Sequence, residues 1–277
     1  MPSLTAYIPY FIAIALLLVV LVVKAIFSPE LKYHSFWYKL KAKIIFWCGR
    51  IHRLHSFPWV TWSVNEHKMD FRESRQACTI ALPGDIGLHK DEGFFSNLAI
   101  PGAFKHAWIV VDDNKCVEAI QKGVLHRDHL YPLISDYAII LRPRNVTKED
   151  VKEAVRRAIS IVGCDYDANF NFNFEESDKV LAEKYTRNLA AGAFHPAFSC
   201  TETVAFSWYH KRDHLRIFRS IQAGREAVVA DDFLKMNYDI LWMSESVTLE
   251  WATKMGMHEE GRQKIKNYLA TARTRML

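Results

Sequence analysis

The amino-acid sequence predicts an α+β domain around a small antiparallel sheet flanked by helices, preceded by one transmembrane helix. Three observations lead to this prediction. An uncharged apolar run occupies residues 7–23, strand-like segments succeed one another from residue 77, and helical periodicity prevails after residue 147. Strands that come first and are then flanked by helices indicate an α+β fold.

The apolar run YIPYFIAIALLLVVLVV at 7–23 continues past Lys24 to Phe27. A bilayer-spanning helix needs about 17–25 such residues. A signal peptide is the alternative, but MPSLTA before the run lacks Lys and Arg, and no A-x-A-like site follows. We therefore expect an uncleaved transmembrane anchor at 1–28.

Basic residues are concentrated directly after this run. Residues 24–55 contain seven Lys or Arg against one acid, Glu30, whereas the whole chain of 277 residues has a net charge of +5. This local excess does not argue for a nucleic acid partner. Short basic segments beside a span stay cytoplasmic, so we expect a single-pass membrane protein with its N-terminus outside and its main domain in the cytoplasm.

Apolar residues between 36 and 54 recur at steps of three and four. They are Trp37, Leu40, Ile44, Trp47, Ile51 and Leu54. With basic residues between them, this spacing predicts an amphipathic helix on the headgroups of the lipid bilayer; a helix packed on the soluble domain is the alternative. The predicted organisation is thus an anchor at 1–28, a basic juxtamembrane segment at 29–62 and one domain at 63–277.

The cysteine content excludes two common kinds of small-domain framework. The five cysteines are an odd number and include no C-x-x-C pair, which argues against a disulfide scaffold and a zinc motif. No Gly-rich phosphate loop, H-E-x-x-H or EF-hand pattern occurs either. We expect neither a cofactor nor a metal.

The predicted strands of the main domain precede its first predicted helix. ACTIALPGDIGLHK, from residue 77, indicates two short strands broken by a Pro-Gly turn. HAWIVV (106–111) and KCVEAI (115–120) flank Asp-Asp-Asn and predict a hairpin, and YAIILRP (137–143) predicts a further strand.

The predicted helices follow. TKEDVKEAVRRAISIVG (147–163) has a capping box of Thr147 and Asp150 and ends at Gly163. Helical patterns also cover 176–191, 200–212 and most of 246–274.

Cys200 stands at the first turn of the predicted helix in AFHPAFSCTETVAFSWYH (193–210), directly after Ser199, a good N-cap. The positive end of a helix favours a thiolate. The alternative is a buried cysteine that acts as a small hydrophobe.

The hairpin offers a partner for this thiol. With a three-residue loop, Val111 lies opposite Lys115, Trp108 faces Glu118, and His106 is the diagonal neighbour of Glu118 on one face. A carboxylate beside an imidazole fixes its tautomer and supports the imidazolium. A two-residue loop would turn Glu118 to the opposite face, and a half-buried structural histidine is the alternative role for His106.

Seven segments occur in an order that resembles a known family. They are LPGDIGL, SNLAIPGAFKHAWIVV, VEAIQKGV, ISDYAIILRP, GCDYDANFNF, FSCTETV and VVADDFL. The series resembles the YiiX/YebB-like group of permuted NlpC-type, papain-like cysteine hydrolases over about residues 77–240. Residues 175–198 make a longer connection before the cysteine than this family leads one to expect.

The resemblance implies a permuted papain-like fold, with Cys200 as nucleophile, His106 as base and Glu118 as the polar third member. It places Tyr166 near the substrate, and we expect Trp108, on the face of His106, to bind substrate as well.

These features predict a membrane-anchored thiol hydrolase or acyltransferase that cleaves an amide or ester bond of a lipid or peptide through a Cys200 acyl-enzyme. The alternative is a catalytically inactive, membrane-bound interaction module that retains the fold. A metal site built from Cys200, His106 and an acid is a third possibility, but it lacks a third ligand at suitable spacing.

Overall fold

The computed structural model describes residues 14, 16–21, 35–48, 52–53, 60–61, 67–94, 97, 100–168, 197–217, 220–222 and 225–275. The strands are β1 (His52–Arg53), β2 (Val60–Thr61), β3 (Ile86–Lys90), β4 (His106–Asp112), β5 (Lys115–Ile120), β6 (Gly123–Asp128), β7 (Tyr137–Pro143), β8 (Asp165–Tyr166), β9 (Ala197–Phe198), β10 (Ser220–Gln222), β11 (Arg225–Ala227) and β12 (Tyr238–Met243). The α-helices are α1 (Phe36–Cys48), α2 (Phe71–Ile80), α3 (Lys148–Ser160), α4 (Cys200–Ser207), α5 (Arg212–Leu215), α6 (Leu249–Lys254) and α7 (Glu259–Arg275).

Six strands form one antiparallel sheet in the order β12-β7-β3-β4-β5-β6. The architecture is therefore α+β, with a larger sheet than the small one expected. β1 pairs with β2 and β10 with β11, both antiparallel, whereas β8 and β9 pair in parallel. Because β3 and β4 lie in the middle of the large sheet, the residues at their ends are held by neighbours on both sides.

Both faces of the sheet are buried. Because successive side chains along a strand point to opposite faces, each strand contributes residues to two cores. On one face Leu88 and Ile109 join a large core with Ala154 of α3 and Val204 of α4. On the other face Trp108, Val110 and Ile140 pack with Ala77 of α2. The central strands consequently consist almost wholly of buried residues.

The β4–β5 hairpin has the predicted pairing of Trp108 with Glu118. Its turn differs from the prediction, because Asp112 pairs with Lys115 and leaves a two-residue loop. A bulge at Val111 adds one residue to β4 and restores the register beyond it. Glu118 therefore stays on the predicted face in spite of the shorter turn.

The helix predicted at 147–163 forms as α3, with Thr147 as N-cap and the predicted capping box to Asp150. By contrast, the prediction of two strands in ACTIALPGDIGLHK is wrong in its first half. That half completes α2, which Asp70 and Glu73 start with a second capping box, and only Ile86–Lys90 is a strand. The helix predicted at 176–191 lies outside the described residues.

The segment predicted to lie on headgroups, at 29–62, is described only in part. Its helix is α1, which ends at Cys48, whereas His52 and Arg53 form β1 and not the continuation that was predicted. Tyr38 and Lys41 of α1 are buried, with 8 % and 1 % of their surfaces exposed. This face of the helix packs on the domain, whereas Trp37 and Trp47 of the predicted apolar face are 42 % and 53 % exposed. Contact of that apolar face with headgroups stays a prediction.

The predicted transmembrane helix requires correction. In the part of the chain that the structure describes, no helix is long and apolar enough to cross a membrane. Within the apolar run, residues 14 and 16–21 are described, and they are helical. The other residues of 1–28 lie outside the described residues. The prediction of a single-pass membrane protein is contradicted together with the span on which it rested.

Candidate active site

Cys200 is the first residue of α4, and Ser199 is its N-cap. The Glu202 N–H donates to Ser199 Oγ at 3.4 Å, and the Ser199 N–H donates to Glu202 Oε2 at 2.6 Å. The Thr203 hydroxyl also donates to the carbonyl of Ser199 at 2.9 Å. These local bonds fix the start of the helix, and with it the position of the thiol, which is 6 % exposed.

His106 begins β4, at the end of the sheet, and meets both the thiol and a carboxylate. Against the effect of burial, the charge and side-chain interaction of His106 lower the pKa of the Cys200 thiol, and those of Cys200 raise the pKa of His106, so the two groups lie close together. Nε2 of His106 lies 2.8 Å from Oε2 of Glu118, so Nδ1 is the ring nitrogen left for sulfur. Thiol, imidazole and carboxylate thus form one row, brought together from α4, β4 and β5.

Arg127 of β6 extends this row beyond the carboxylate. Its Nη1 donates to Oε1 of Glu118 at 2.7 Å, and its guanidinium lies 4.5 Å from the centre of the Tyr131 ring. Glu118 itself is 2 % exposed. Burial opposes ionisation, but the hydrogen bond from His106 and the charges of His106 and Arg127 lower the pKa of Glu118. The carboxylate therefore remains negative beside the imidazole.

Electrostatics at this site favour a thiolate–imidazolium pair. Burial alone would raise the pKa of Cys200, but the charge and hydrogen bond of His106 and the backbone N–H groups of Ala107 and Thr201 lower it. Burial works against a charged His106 as well, yet the charge of Cys200 and hydrogen bonds to Cys200 and Glu118 raise its pKa. An opposite charge and donors aimed at sulfur are the causes that activate cysteine nucleophiles.

Two further ionisable groups near the pair, Glu202 and His89, are favoured in their neutral forms. Burial and the nearby charge of Asp167 raise the pKa of Glu202 well above its ordinary value, which favours the neutral acid beside the thiolate. The ring of His89 lies 4.7 Å from that of His106, centre to centre. Burial and the charge of His106 lower the pKa of His89 to about 3, so this second imidazole stays neutral.

Tyr166 lies beside Cys200, because β8 pairs Tyr166 with Phe198, two residues before the cysteine. After burial, the charge of Cys200 is the largest cause that raises the pKa of its phenol. Tyr38 of α1 donates from its hydroxyl to the Tyr166 carbonyl at 2.8 Å, and the Phe46 ring lies 5.6 Å from the Tyr166 ring. Helix α1 is therefore part of the immediate surroundings of the site.

Trp108 shares a sheet face with His106 but belongs to the interior. It is fully buried, and its ring occupies the space above Gly87, where a Cβ atom would lie 2.0 Å away. Only glycine leaves room for the indole at this position. We therefore assign Trp108 to the core beneath the site and do not retain it as a substrate-binding residue.

Sequence reasoning missed Arg127, although a signal for it exists. Gly123 has a φ of +100° and begins β6 directly after a tight turn, and the resulting register pairs Cys116 with Arg127. This register makes Arg127 a diagonal neighbour of Glu118. Extending the hairpin analysis by one turn would have identified it. The backbone donors Ala107 and Thr201 leave no comparable signal.

Comparisons with family models, with curated proteins and with solved structures give no match to this chain. The resemblance to the YiiX/YebB-like group rests only on the ordered segments of the sequence. The chemistry of the chain must accordingly be argued from the side chains of the site.

Proposed function

We propose that the chain is a cysteine hydrolase or acyltransferase that cleaves an amide or ester bond through an acyl-enzyme on Cys200. One observation supports this most strongly: the Cys200 thiol is electrostatically paired with His106, and His106 is hydrogen-bonded to Glu118. A nucleophile bonded to a base, with the base oriented by a third group, is the arrangement that nucleophilic catalysis requires.

In the first half-reaction, the Cys200 thiolate attacks the carbonyl carbon, and the electron pair of the C=O bond moves to oxygen. Backbone N–H groups at the start of α4, where Cys200 lies, would donate to this oxyanion. Collapse of the intermediate breaks the bond to nitrogen or oxygen. His106 gives its proton to the departing amine or alcohol and leaves a thioester on Cys200.

In the second half-reaction, His106 removes a proton from the acceptor, which attacks the thioester carbon. The acyl product leaves, and Cys200 returns as a thiolate paired with the imidazolium of His106. Water as acceptor makes the chain a hydrolase, and an amine or alcohol makes it a transferase. Glu118 keeps the ring of His106 oriented in both halves and does not itself exchange a proton.

The proposal predicts a covalent acyl adduct on Cys200. The full chain is incubated with p-nitrophenyl esters of short and long acyl groups, and with acyl amides, and the adduct is located by intact-mass and peptide mass spectrometry. We expect Cys200→Ser to lower turnover by at least about a thousandfold, because the hydroxyl does not ionise near neutral pH.

The matched control is Cys78→Ser, which makes the same change at a half-buried thiol outside the site; it should retain wild-type turnover. If no adduct forms with any donor, or if Cys200→Ser turns over like wild type, the proposal fails. The inactive interaction module would then be the better account.

A further inference from the structure

We propose that His67, Asp91 and Asp136 form a binding site for a divalent transition-metal ion. The three residues come from separate parts of the chain: His67 precedes α2, Asp91 follows β3, and Asp136 precedes β7. One ligand atom from each lies within 4.8 Å of the other two. Nδ1 of His67 is 3.7 Å from Oδ1 of Asp91 and 4.0 Å from Oδ1 of Asp136.

Backbone hydrogen bonds brace the three ligands against one another. Asp136 accepts from the N–H of Lys68 at 2.9 Å and from the N–H of Glu92 at 2.5 Å. These donors are the residues directly after His67 and Asp91. These bonds hold the three side chains around one point, and Oδ1 of Asp136, which faces that point, keeps a lone pair for a cation beside the bond from Lys68.

Two of the atoms that face this point have no hydrogen-bond partner. Nδ1 of His67 and Oδ1 of Asp91 are both buried and unpaired. Burying such atoms without a partner is costly. Their separations are too long for direct hydrogen bonds, yet they are close to the about 3.3 Å between neighbouring ligands of a zinc ion with bonds of about 2.0 Å. A cation between them would satisfy both atoms after shifts of less than an ångström.

The donor set selects the class of ion. One imidazole nitrogen and two carboxylate oxygens suit zinc and related first-row ions, whereas calcium and magnesium prefer oxygen alone. A bound cation would also relieve the repulsion between the two neighbouring carboxylates.

The site is next to the proposed catalytic centre but shares no residue with it. Asp91 follows β3 directly, and His89 of the same strand contacts the ring of His106. The role we assign to the ion is to fasten the segment at His67 to the end of the sheet behind the catalytic histidine. This inference is independent of the proposed acyl transfer.

Zinc binding to the full chain, freed of metal with a chelator, is measured by isothermal titration calorimetry. Wild type should bind one zinc ion per chain, and His67→Ala and Asp91→Asn should each weaken binding at least about tenfold. His126→Ala makes the same change as His67→Ala at an exposed position of β6, so it should bind like wild type. Excess magnesium should not displace the zinc.

A parallel titration of Cys200→Ala separates this site from the thiol, and it should bind zinc as wild type does. Circular dichroism checks that each variant is folded, and the visible bands of bound cobalt report coordination in those that are. Three outcomes overturn the inference: wild type binds no zinc, binding survives unchanged in both ligand variants, or binding is lost only in Cys200→Ala. Equal competition by magnesium overturns the assigned class of ion.

Discussion

Replacing His106 by alanine is expected to slow alkylation of Cys200 by iodoacetamide at pH 7 by at least about a hundredfold. The charge and hydrogen bond of His106 are the largest causes that lower the pKa of this thiol, and burial raises it once they are lost. Each unit by which a thiol pKa exceeds the ambient pH reduces the thiolate fraction about tenfold. The rate is followed by peptide mass spectrometry of the modified Cys200.

The control for this variant is His126→Ala, which removes an exposed imidazole from the same sheet and should leave the rate unchanged. An alkylation rate in His106→Ala equal to that of wild type would show that His106 does not activate the thiol.

The second large effect concerns the carboxylate. Glu118→Gln keeps the shape of the side chain but removes the charge that supports the imidazolium, and it gives His106 and Arg127 a weaker acceptor. We expect acyl turnover to fall about 10- to 100-fold, with Cys200 still able to form an adduct, because the variant disturbs the orientation of the base and not the nucleophile.

Glu153→Gln makes the same isosteric change in an ion pair with Arg156 on the exposed side of α3 and should not alter turnover. Steady-state kinetics with the best acyl donor measure both variants. Full activity in Glu118→Gln would remove the carboxylate from the mechanism, and total loss of folded protein, seen by circular dichroism, would give it a structural role instead.

The pairing of His106 with Glu118 could be predicted because the face of a strand residue depends only on register. The premise was nevertheless incorrect, since the turn has two residues and the bulge at Val111 restores the pairing. Hydrophobic pattern cannot reveal such a bulge, which arises where the backbone geometry of the turn meets that of the strand.

Other features were hidden from sequence for a different reason. The basic, aromatic periodicity of α1 does not reveal that Tyr38 and Lys41, which lie outside the predicted apolar stripe, form the buried face, while Trp37 and Trp47 of the stripe stay exposed. The helix α2 was mistaken for a strand because the apolar residues that end it outweighed the capping box at Asp70 and Glu73. Propensity is a weak guide where a cap determines the start of an element.

The most direct test of the central claim compares two cysteines within one molecule. Cys78 is half-buried and Cys200 almost wholly buried, so accessibility alone predicts that Cys78 reacts first. Burial and the charge of Asp128 raise the pKa of Cys78 to about 11, whereas that of Cys200 is lowered. The ionised fraction of each thiol therefore predicts that Cys200 reacts before Cys78.

The wild-type chain is treated with a limiting amount of iodoacetamide between pH 6 and pH 9, and both peptides are quantified by mass spectrometry. We expect faster modification of Cys200 at every pH. Its advantage should grow as the pH falls from 9, because the pKa of Cys200 lies below its ordinary value and that of Cys78 above it, so Cys78 loses thiolate more steeply. Faster modification of Cys78, or an advantage of Cys200 that shrinks as the pH falls, would contradict the activated thiolate on which the proposed function depends.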